Sequence, residues 1–458
     1  MPIVPAGLSR SVARVAGWAS RRAGRGGGTT LPGVVLLKLR PQAVAELTPR
    51  LTRSLTISAT NGKTTTARFI TACVEADGQS VVANPAGSNL LRGVAAALLD
   101  ANASEHATGV FEVDEAALPS VVDQLQPDVI VLMNLFRDQL DRYGELDHLA
   151  TIWAEMIASL PPETIVVANA DDPTIYGLVA HRENTITFGV NDVSLARSEI
   201  QHASDASTCR SCDADLTHDV VFIGHIGHWR CTKCDLARPE PSVVATTIEL
   251  HGLDGSTVSG LTPTGPIALE LSLPGLHNVY NALAAAATAH ALGVINPVIA
   301  GAITDTKAAF GRAERLTLDN RELTLLLAKN PAGVNENLRT VMLDSEPLHL
   351  YIQLNDRTAD GRDVSWIWDV DYEVAFDRIA SVTIAGDRAH DMALRLRYGG
   401  FDTTKLTVHD SPAAGLDAAL AKVPDGGRLY SLPTYTAMLE LRSVLVERGV
   451  AGDFWDEA

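Results

Sequence analysis

The chain has 458 residues, 46% of them hydrophobic, and its 55 acidic residues outnumber its 37 Lys and Arg residues to give a formal net charge of −18. The length predicts about three structural units, at roughly 100–200 residues per domain. The acidic balance disfavours a nucleic-acid-binding protein, because phosphate neutralisation needs clustered Lys and Arg. Since no apolar run approaches the roughly 20 residues that span a bilayer, we expect a soluble, cytoplasmic protein.

The N-terminal segment, residues 1–45, is basic. It lacks the long apolar region and the cleavage site of a secretory signal. Two interpretations stay open: a solvated basic helix, or a weak contact with anionic headgroups at the inner face of the membrane. Its arginines Arg10, Arg14, Arg21, Arg22 and Arg25 all precede the first acidic residue, Glu46.

Residues 46–312 are predicted to form a central α/β domain. Short β-rich runs alternate there with helical segments, which is typical of a parallel sheet covered by helices on both faces. The region 246–275 favours further β structure, and the Ala-rich run 281–292 favours a helix. The predicted parallel strands are 55–59, 81–84, 108–113, 129–134 and 165–169.

A phosphate-binding loop is predicted between the first strand and the helix after it. A strand, a Gly-Lys pair and a helix in this order are the context of a P-loop. Gly62 would let the backbone approach the phosphates, Lys63 would reach their β/γ oxygens, and Thr64 would ligate magnesium. The candidate ATP-binding residues of the loop are Thr60, Asn61, Gly62, Lys63, Thr64 and Thr65.

An inserted module is predicted at residues 200–245, where the strand–helix rhythm stops. Its spacing C-x2-C-x18-C-x2-C is typical of a four-thiolate zinc ribbon, and four thiolates leave no ligand position for water, so the zinc would be structural. Two disulfides are disfavoured in a reducing cytoplasm. His225 or His228 could replace one thiolate, but we expect both on the surface of a hairpin tip. The candidate zinc ligands are Cys209, Cys212, Cys231 and Cys234.

Residues 313–458 are predicted to form a second, smaller, doubly wound α/β domain. Runs rich in β-branched and other apolar residues again alternate with helical segments. The predicted strands are 323–328, 348–354, 381–385 and 428–432.

The order of the motifs resembles the Mur-ligase family. Ile57 stands where an ordinary P-loop has its first Gly, and the loop is followed by Glu112, Asn134, the run 169–173 and His277-Asn278. The resemblance implies ATP and magnesium as cofactors, with Glu112 and Thr64 at the metal. It also implies that Asn278 or Asn281 contacts the base and that Arg312 helps Lys63 to neutralise the phosphoryl group.

Within that family, the stretches 329–336, 355–369 and 432–438, together with the four cysteines, resemble MurT-type subunits. The resemblance implies ATP-dependent amidation of the α-carboxyl of D-isoglutamate in lipid II, through an acyl phosphate and ammonia from a GatD-type glutaminase subunit. It further implies an Asp that completes the partner's Cys-His dyad. Asp360 is the first candidate, followed by Asp356 and Asp363. Trp366 and Trp368 fit a partner surface or a buried core equally well.

Two other functions stay open on the sequence. The first is another Mur-type ligase, such as a folylpolyglutamate synthase or an amino-acid-adding enzyme, which would use the same ATP site with a different amine. The second is a zinc-ribbon scaffold with a degenerate nucleotide site that regulates a partner.

Overall fold

The computed structural model of the chain describes residues 5–22, 30–84, 87–101, 107–137, 146–202, 204–306 and 312–452, apart from the side chains of 19–21 and 312. The helices are α1 (Ala6–Arg22), α2 (Leu31–Leu39), α3 (Ala43–Leu47), α4 (Lys63–Ala76), α5 (Leu91–Asp100), α6 (Leu118–Leu125), α7 (Leu146–Ser159), α8 (Pro173–Val179), α9 (Leu276–Ala291), α10 (Asn296–Asp305), α11 (Pro331–Val341), α12 (Ala389–Tyr398), α13 (Pro412–Leu420) and α14 (Tyr435–Glu447). The strands are β1 (Leu51–Ser58), β2 (Ser80–Ala83), β3 (Ala107–Glu112), β4 (Val129–Leu132), β5 (Ile165–Asn169), β6 (Thr185–Val190), β7 (Leu216–Ile223), β8 (Ile226–Cys231), β9 (Val243–Leu250), β10 (Ser256–Thr262), β11 (Gly265–Leu271), β12 (Arg312–Leu318), β13 (Arg321–Leu326), β14 (Leu348–Gln353), β15 (Ile379–Ala385), β16 (Leu406–Val408) and β17 (Arg428–Pro433).

The first sheet has nine strands in the order β11-β10-β9-β6-β5-β4-β1-β3-β2. The strands from β9 to β2 in that order run parallel, and β10 and β11 extend the β9 edge in antiparallel fashion. Because β1 lies inside the parallel part, the loop after it opens at the carboxyl edge of the sheet, where open α/β sheets bind ligands.

Helices cover both faces of this sheet. On β4, Val129 and Val131 belong to the apolar core formed with α4, α9 and α10. Ile130 and Leu132 belong to the core on the other face, with α5, α6 and α7. A strand buried on both faces is a continuous apolar run, which explains why β4 is Val-Ile-Val-Leu.

Strands β7 and β8 form an antiparallel hairpin within the predicted insertion, separate from the large sheets. The hairpin carries Cys231 at its end, and the other three cysteines flank it in sequence.

The second sheet has six strands in the order β12-β13-β17-β14-β15-β16. All neighbours are parallel except β12 and β13. Apolar cores lie on both of its faces. The predicted fold class, two α/β units with an inserted cysteine module, is confirmed. Within the described residues, no helix has both the length and the apolar character that crossing a bilayer requires.

Candidate functional site

The phosphate loop joins β1 to α4 in the conformation that the motif predicts. Gly62 has φ +93°, a conformation that residues with a side chain rarely adopt, and a Cβ placed on it would lie 2.1 Å from Oδ1 of Asn281. The backbone conformation and the lack of space each require Gly at this position. Asn134, at the end of β4, fastens the loop: its Oδ1 accepts from Asn61 N at 2.9 Å and its Nδ2 donates to Asn61 O at 3.0 Å. Helix α4 begins directly after this loop, and the N-terminus of a helix favours bound anions.

Lys63 is buried and surrounded by acidic groups. Its Nζ lies 2.8 Å from Oε2 of Glu115 and also contacts Ala59 O. Burial by itself lowers the pKa of Lys63, but the carboxylates of Glu115, Glu112 and Asp114 outweigh burial and raise this pKa. The ammonium is thus held charged in the place where anionic phosphates would arrive.

Glu112 lies at the carboxyl end of β3, beside the first turn of α4. Thr64 Oγ1 donates to Glu112 Oε2 at 2.9 Å, so the two proposed magnesium ligands are together. Asn84 fixes the backbone of Glu112 by accepting from its N–H and donating to its carbonyl, both at 2.9 Å. Oxygen atoms of a hydroxyl and a carboxylate are the ligands that magnesium prefers.

These groups line a cavity of about 410 Å³ between the two sheets. Thr65 is buried and does not line the cavity. The side chain of Arg312 lies outside the described residues. The predicted residues that line the cavity are Thr60, Asn61, Gly62, Lys63, Thr64, Glu112, Asn278 and Asn281.

The segment between β13 and α11 meets the phosphate loop: Lys329 lines the cavity and Asn330 contacts the loop, and the sequence analysis assigned neither residue a role in the ATP site. Lys329 Nζ donates to Thr60 O at 3.3 Å, and Asn330 Nδ2 donates to Asn61 Oδ1 at 2.9 Å. Asn330 also caps α11, since its Oδ1 accepts from Gly333 N at 2.9 Å. Helix α11 consequently begins at the phosphate loop.

Another wall of the cavity combines α9 with the tip of the cysteine-module hairpin. Asn281 Nδ2 donates to Asn278 Oδ1 at 2.9 Å, and Asn278 Nδ2 donates to Pro274 O at 2.7 Å. Ile223 and Ile226, which flank the hairpin turn, also line the cavity. Amide groups facing an apolar surface are suited to a planar heterocycle such as a nucleotide base.

The four cysteines converge. Their sulfur atoms all lie within 4.8 Å of one another, with Cys209 and Cys234 Sγ 3.6 Å apart and Cys212 and Cys231 Sγ 3.5 Å apart. Backbone N–H groups point at the sulfurs, as from Lys233 to Cys231 at 3.3 Å. This arrangement fits one tetrahedral metal ion held by thiolates.

The expectation that His225 lies on the surface is wrong. The side chain is fully buried, its ring centroid lies 4.7 Å from that of Phe136, and its Nε2 lies 3.3 Å from Asp172 Oδ2. His228 is half-buried, with its Nε2 2.9 Å from Val190 O. The hairpin lies against the sheet, so its histidines face protein rather than solvent.

A buried charge cluster joins the module to α9. Asp171 Oδ1 accepts from Arg238 Nε at 2.6 Å, and its Oδ2 accepts from Tyr280 OH at 2.7 Å and Val190 N at 2.8 Å. Burial raises the pKa of Asp171, and these donors oppose the rise. Because Tyr280 lines the cavity, the cluster ties the inserted module to the cavity wall.

The three candidate aspartates follow β14 in one loop and do not line the cavity. Asp360 is buried and accepts from Thr436 N at 2.7 Å, from Thr436 Oγ1 at 2.5 Å and from Arg357 N at 3.2 Å. Asp356 pairs with Arg388 at 3.1 Å, and Asp363 is exposed.

Comparison with known sequences gives two family matches. A family model described as the Mur ligase middle domain matches residues 57–289, and one described as MurT ligase C-terminal matches residues 327–438. A Streptococcus pneumoniae protein named lipid II isoglutaminyl synthase (glutamine-hydrolyzing) subunit MurT is 33% identical over 93% of this chain and 94% of that protein. A Staphylococcus aureus protein of the same name is 30% identical over the same shares.

Solved structures share the fold. A pseudomurein peptide ligase type C from Methanothermus fervidus has a TM-score of 0.68 and 21% identity, covering 86% of this chain and 78% of that one. MurF from Acinetobacter baumannii has a TM-score of 0.66 and 17% identity, covering 90% and 80%. At these identities the likeness concerns the fold alone.

Proposed function

Because this chain belongs to the MurT family of Mur-type ligase subunits, as its motifs predicted, we propose that it is the ATP-using subunit of a lipid II isoglutaminyl synthase. It is an ATP-dependent carbon–nitrogen ligase, and its substrate would be the α-carboxyl of D-isoglutamate in lipid II. The product would be D-isoglutamine. The observation that carries this proposal is the buried Lys63 beside Thr64 and Glu112 at a cavity that both sheets line.

The reaction would proceed in two steps. A carboxylate oxygen attacks the γ-phosphorus, the bond from that phosphorus to the β–γ bridging oxygen breaks, and ADP leaves. Ammonia then attacks the acyl carbon, phosphate leaves, and the nitrogen loses a proton. Lys63 and the first N–H groups of α4 would stabilise the charge on the transferred phosphoryl group, with Arg312 as a further cation.

Magnesium would be held by Thr64 and Glu112, whose oxygens fit a hard cation. Bound there, the ion would supply positive charge that neutralises the phosphates. On the wall that α9 and the hairpin tip form, Asn278 and Asn281 would orient the base, with Ile223 and Ile226 against its ring. Zinc would occupy the four-cysteine cluster as a structural ion, because four thiolates close the coordination shell.

Ammonia would come from a GatD-type glutaminase subunit, and we propose Asp360, ahead of Asp356 and Asp363, as the carboxylate that orients the partner's catalytic His. Three hydrogen bonds hold Asp360 rigid, while a carboxylate has about four acceptor positions, so one remains for an imidazole N–H. In the same loop, the ring of Trp368 is half exposed, which supports a partner surface there. We also propose that the enzyme works in the cytoplasm at the inner membrane face, because the reaction needs both ATP and a lipid-linked substrate.

The decisive experiment is mass spectrometry of lipid II after incubation with the chain, ATP and magnesium. With ammonium, or with glutamine and the glutaminase subunit, the mass should change as expected for OH replaced by NH2, and Lys63→Ala should abolish the change. Incorporation of a free amino acid in place of ammonia would contradict the proposal and favour an amino-acid-adding ligase. Glutamine-dependent activity of this chain alone would also contradict it.

A further inference from the structure

Helix α1 carries its large apolar side chains on the face that points to solvent. Leu8, Val12, Val15 and Trp18 are 57%, 44%, 63% and 57% exposed. Their spacing of four, three and three residues places them along one side of the helix. They form a contiguous surface, which we call the α1 apolar face.

Small residues do the packing on the opposite side of the same helix. Ser9, Ala13 and Gly17, at intervals of four, are buried where α1 meets α2 and α5. A helix attached only to its own protein normally buries its large apolar residues and exposes its small and polar ones. In α1 this distribution is reversed, so the described residues leave the α1 apolar face exposed.

The charges on α1 itself are all positive. Arg14 lies on its flank and donates to Leu99 O at 2.8 Å, and the guanidinium of Arg22 lies 5.4 Å from the ring centroid of Trp18. The sequence has no acidic residue before Glu46, although the whole chain carries a formal net charge of −18. An apolar stripe with an aromatic ring, flanked by arginines, complements a bilayer surface that bears anionic headgroups.

We propose that the α1 apolar face binds the surface of an anionic bilayer, with its side chains among the upper acyl chains and Arg14 and Arg22 at the headgroup phosphates. The helix lies in the interface, since no described helix can cross the bilayer. This inference goes beyond the ligase chemistry and rests on the surface of α1 alone. Its effect would be to hold the cavity close to membrane-borne substrate.

The test is sedimentation of the full chain, with zinc and its glutaminase subunit, with vesicles of equimolar phosphatidylglycerol and phosphatidylcholine or of phosphatidylcholine alone. The protein should bind the anionic vesicles preferentially, and added salt should weaken this binding. Leu8→Ser/Val15→Ser should bind about tenfold more weakly, because two apolar side chains no longer enter the bilayer. The matched control is Leu261→Ser/Ile295→Ser, which removes two side chains that are 50% and 60% exposed elsewhere and should leave binding unchanged.

Several results would overturn the proposal. One is equal binding to both vesicle types, and another is full vesicle binding by Leu8→Ser/Val15→Ser. If that variant binds vesicles normally but loses the glutaminase subunit in size-exclusion chromatography, the face docks protein instead. A marked fall in its thermal midpoint would show that the face is packed within the protein. None of these readouts depends on ligase activity, so they are separate from the proposed function.

Discussion

Lys63 and Glu115 form a buried ion pair below the phosphate loop, with Nζ 2.8 Å from Oε2. The pair positions the ammonium before any phosphate arrives, so removing the Lys side chain leaves Glu115 uncompensated and the phosphoryl group without its main cation. Lys63→Ala should lower ATP turnover by about a hundredfold or more. Lys38→Ala, which changes an exposed Lys on α2, is the control and should retain turnover. A steady-state ATPase assay with lipid II decides it, and near-normal turnover by Lys63→Ala would refute the assigned role.

Asp360 allows the two half-reactions to be separated. If its carboxylate orients the partner's His, Asp360→Asn should reduce glutamine-dependent amidation by about a hundredfold or more while ammonium-dependent amidation persists. Asp356→Asn and Asp363→Asn are matched controls in the same loop. Both reactions should be followed by mass spectrometry of lipid II. Equal loss of both in Asp360→Asn would show that the residue serves only to hold Thr436 and the start of α14.

Removal of the proposed zinc ion should weaken nucleotide binding, although the cysteine cluster does not line the cavity. The hairpin carries Ile223 and Ile226 into the cavity wall, and its fold depends on the cysteine cluster. Chelation, or Cys209→Ser/Cys234→Ser, should reduce affinity for a non-hydrolysable ATP analogue by about tenfold, the loss expected when partial apolar burial of a base disappears. Isothermal titration calorimetry measures it, and re-addition of zinc to the chelated protein should restore affinity. Unchanged affinity in zinc-free protein would exclude this coupling.

The Asp171 cluster should be important for stability. Arg238→Ala leaves a buried carboxylate without its cation and should cost about 3–5 kcal/mol in the free energy of unfolding. Tyr280→Phe removes one hydrogen bond and should cost about 1 kcal/mol. Arg230 pairs with Asp219 on the exposed side of the β7–β8 hairpin. Arg230→Ala should therefore cost less than about 1 kcal/mol in the free energy of unfolding. Urea unfolding measures the free energy of unfolding of the three variants. Equal losses of free energy in all three would contradict the argument that the buried ion pair contributes more than the exposed one.

His202 gives a pH-dependent contact between the module and the second sheet. Its Nδ1 lies 2.6 Å from Asp371 Oδ1, and this hydrogen bond, with the charge of Asp371, raises the pKa of His202 above 6.5. Glu373 and Asp369 act in the same direction. A raised pKa means that the stabilisation is complete below the ordinary value and is lost as pH rises through the folded value.

His202→Gln should therefore lower stability slightly at pH about 5.5 and have no effect at pH about 9. Because the ring is largely exposed, the difference should stay below about 1 kcal/mol. Thermal unfolding at the two pH values tests this. His251→Gln, another exposed His, is the control, and an equal effect of His202→Gln at both pH values would rule out the linkage.

The parallel strands and the phosphate loop could be predicted because their signals are local. Strand β4 is a continuous apolar run, and Gly62 precedes a Lys at a strand–helix junction. Strand ends were predicted less accurately: β1 was predicted from residue 55 and begins at Leu51, because Thr52, Arg53 and Ser54 form a polar run that gives no strand signal. The cysteine cluster was predictable because spacing alone specifies a four-thiolate site.

Other features depend on tertiary placement that no local pattern contains. Lys329 and Asn330 contact the phosphate loop across 269 positions of sequence, so neither motif reveals the other. His225 was expected on the surface because hairpin turns usually face solvent, but this turn is covered by Phe136 and Asp172. Because this hairpin turn lies against the protein and not in solvent, Ile223 and Ile226 line the cavity.

Asn330 joins the cap of α11 to Asn61, so the amino-terminal ends of two helices, α4 and α11, border one cavity. Each helix carries partial positive charge at that end, which favours phosphate from two sides. Suppose that a nucleotide binds more tightly when the two sheets are close together than when they are apart. The nucleotide must then favour the close arrangement of the sheets by the same factor. Conversely, any variant in which the two sheets lie further apart should release ADP faster.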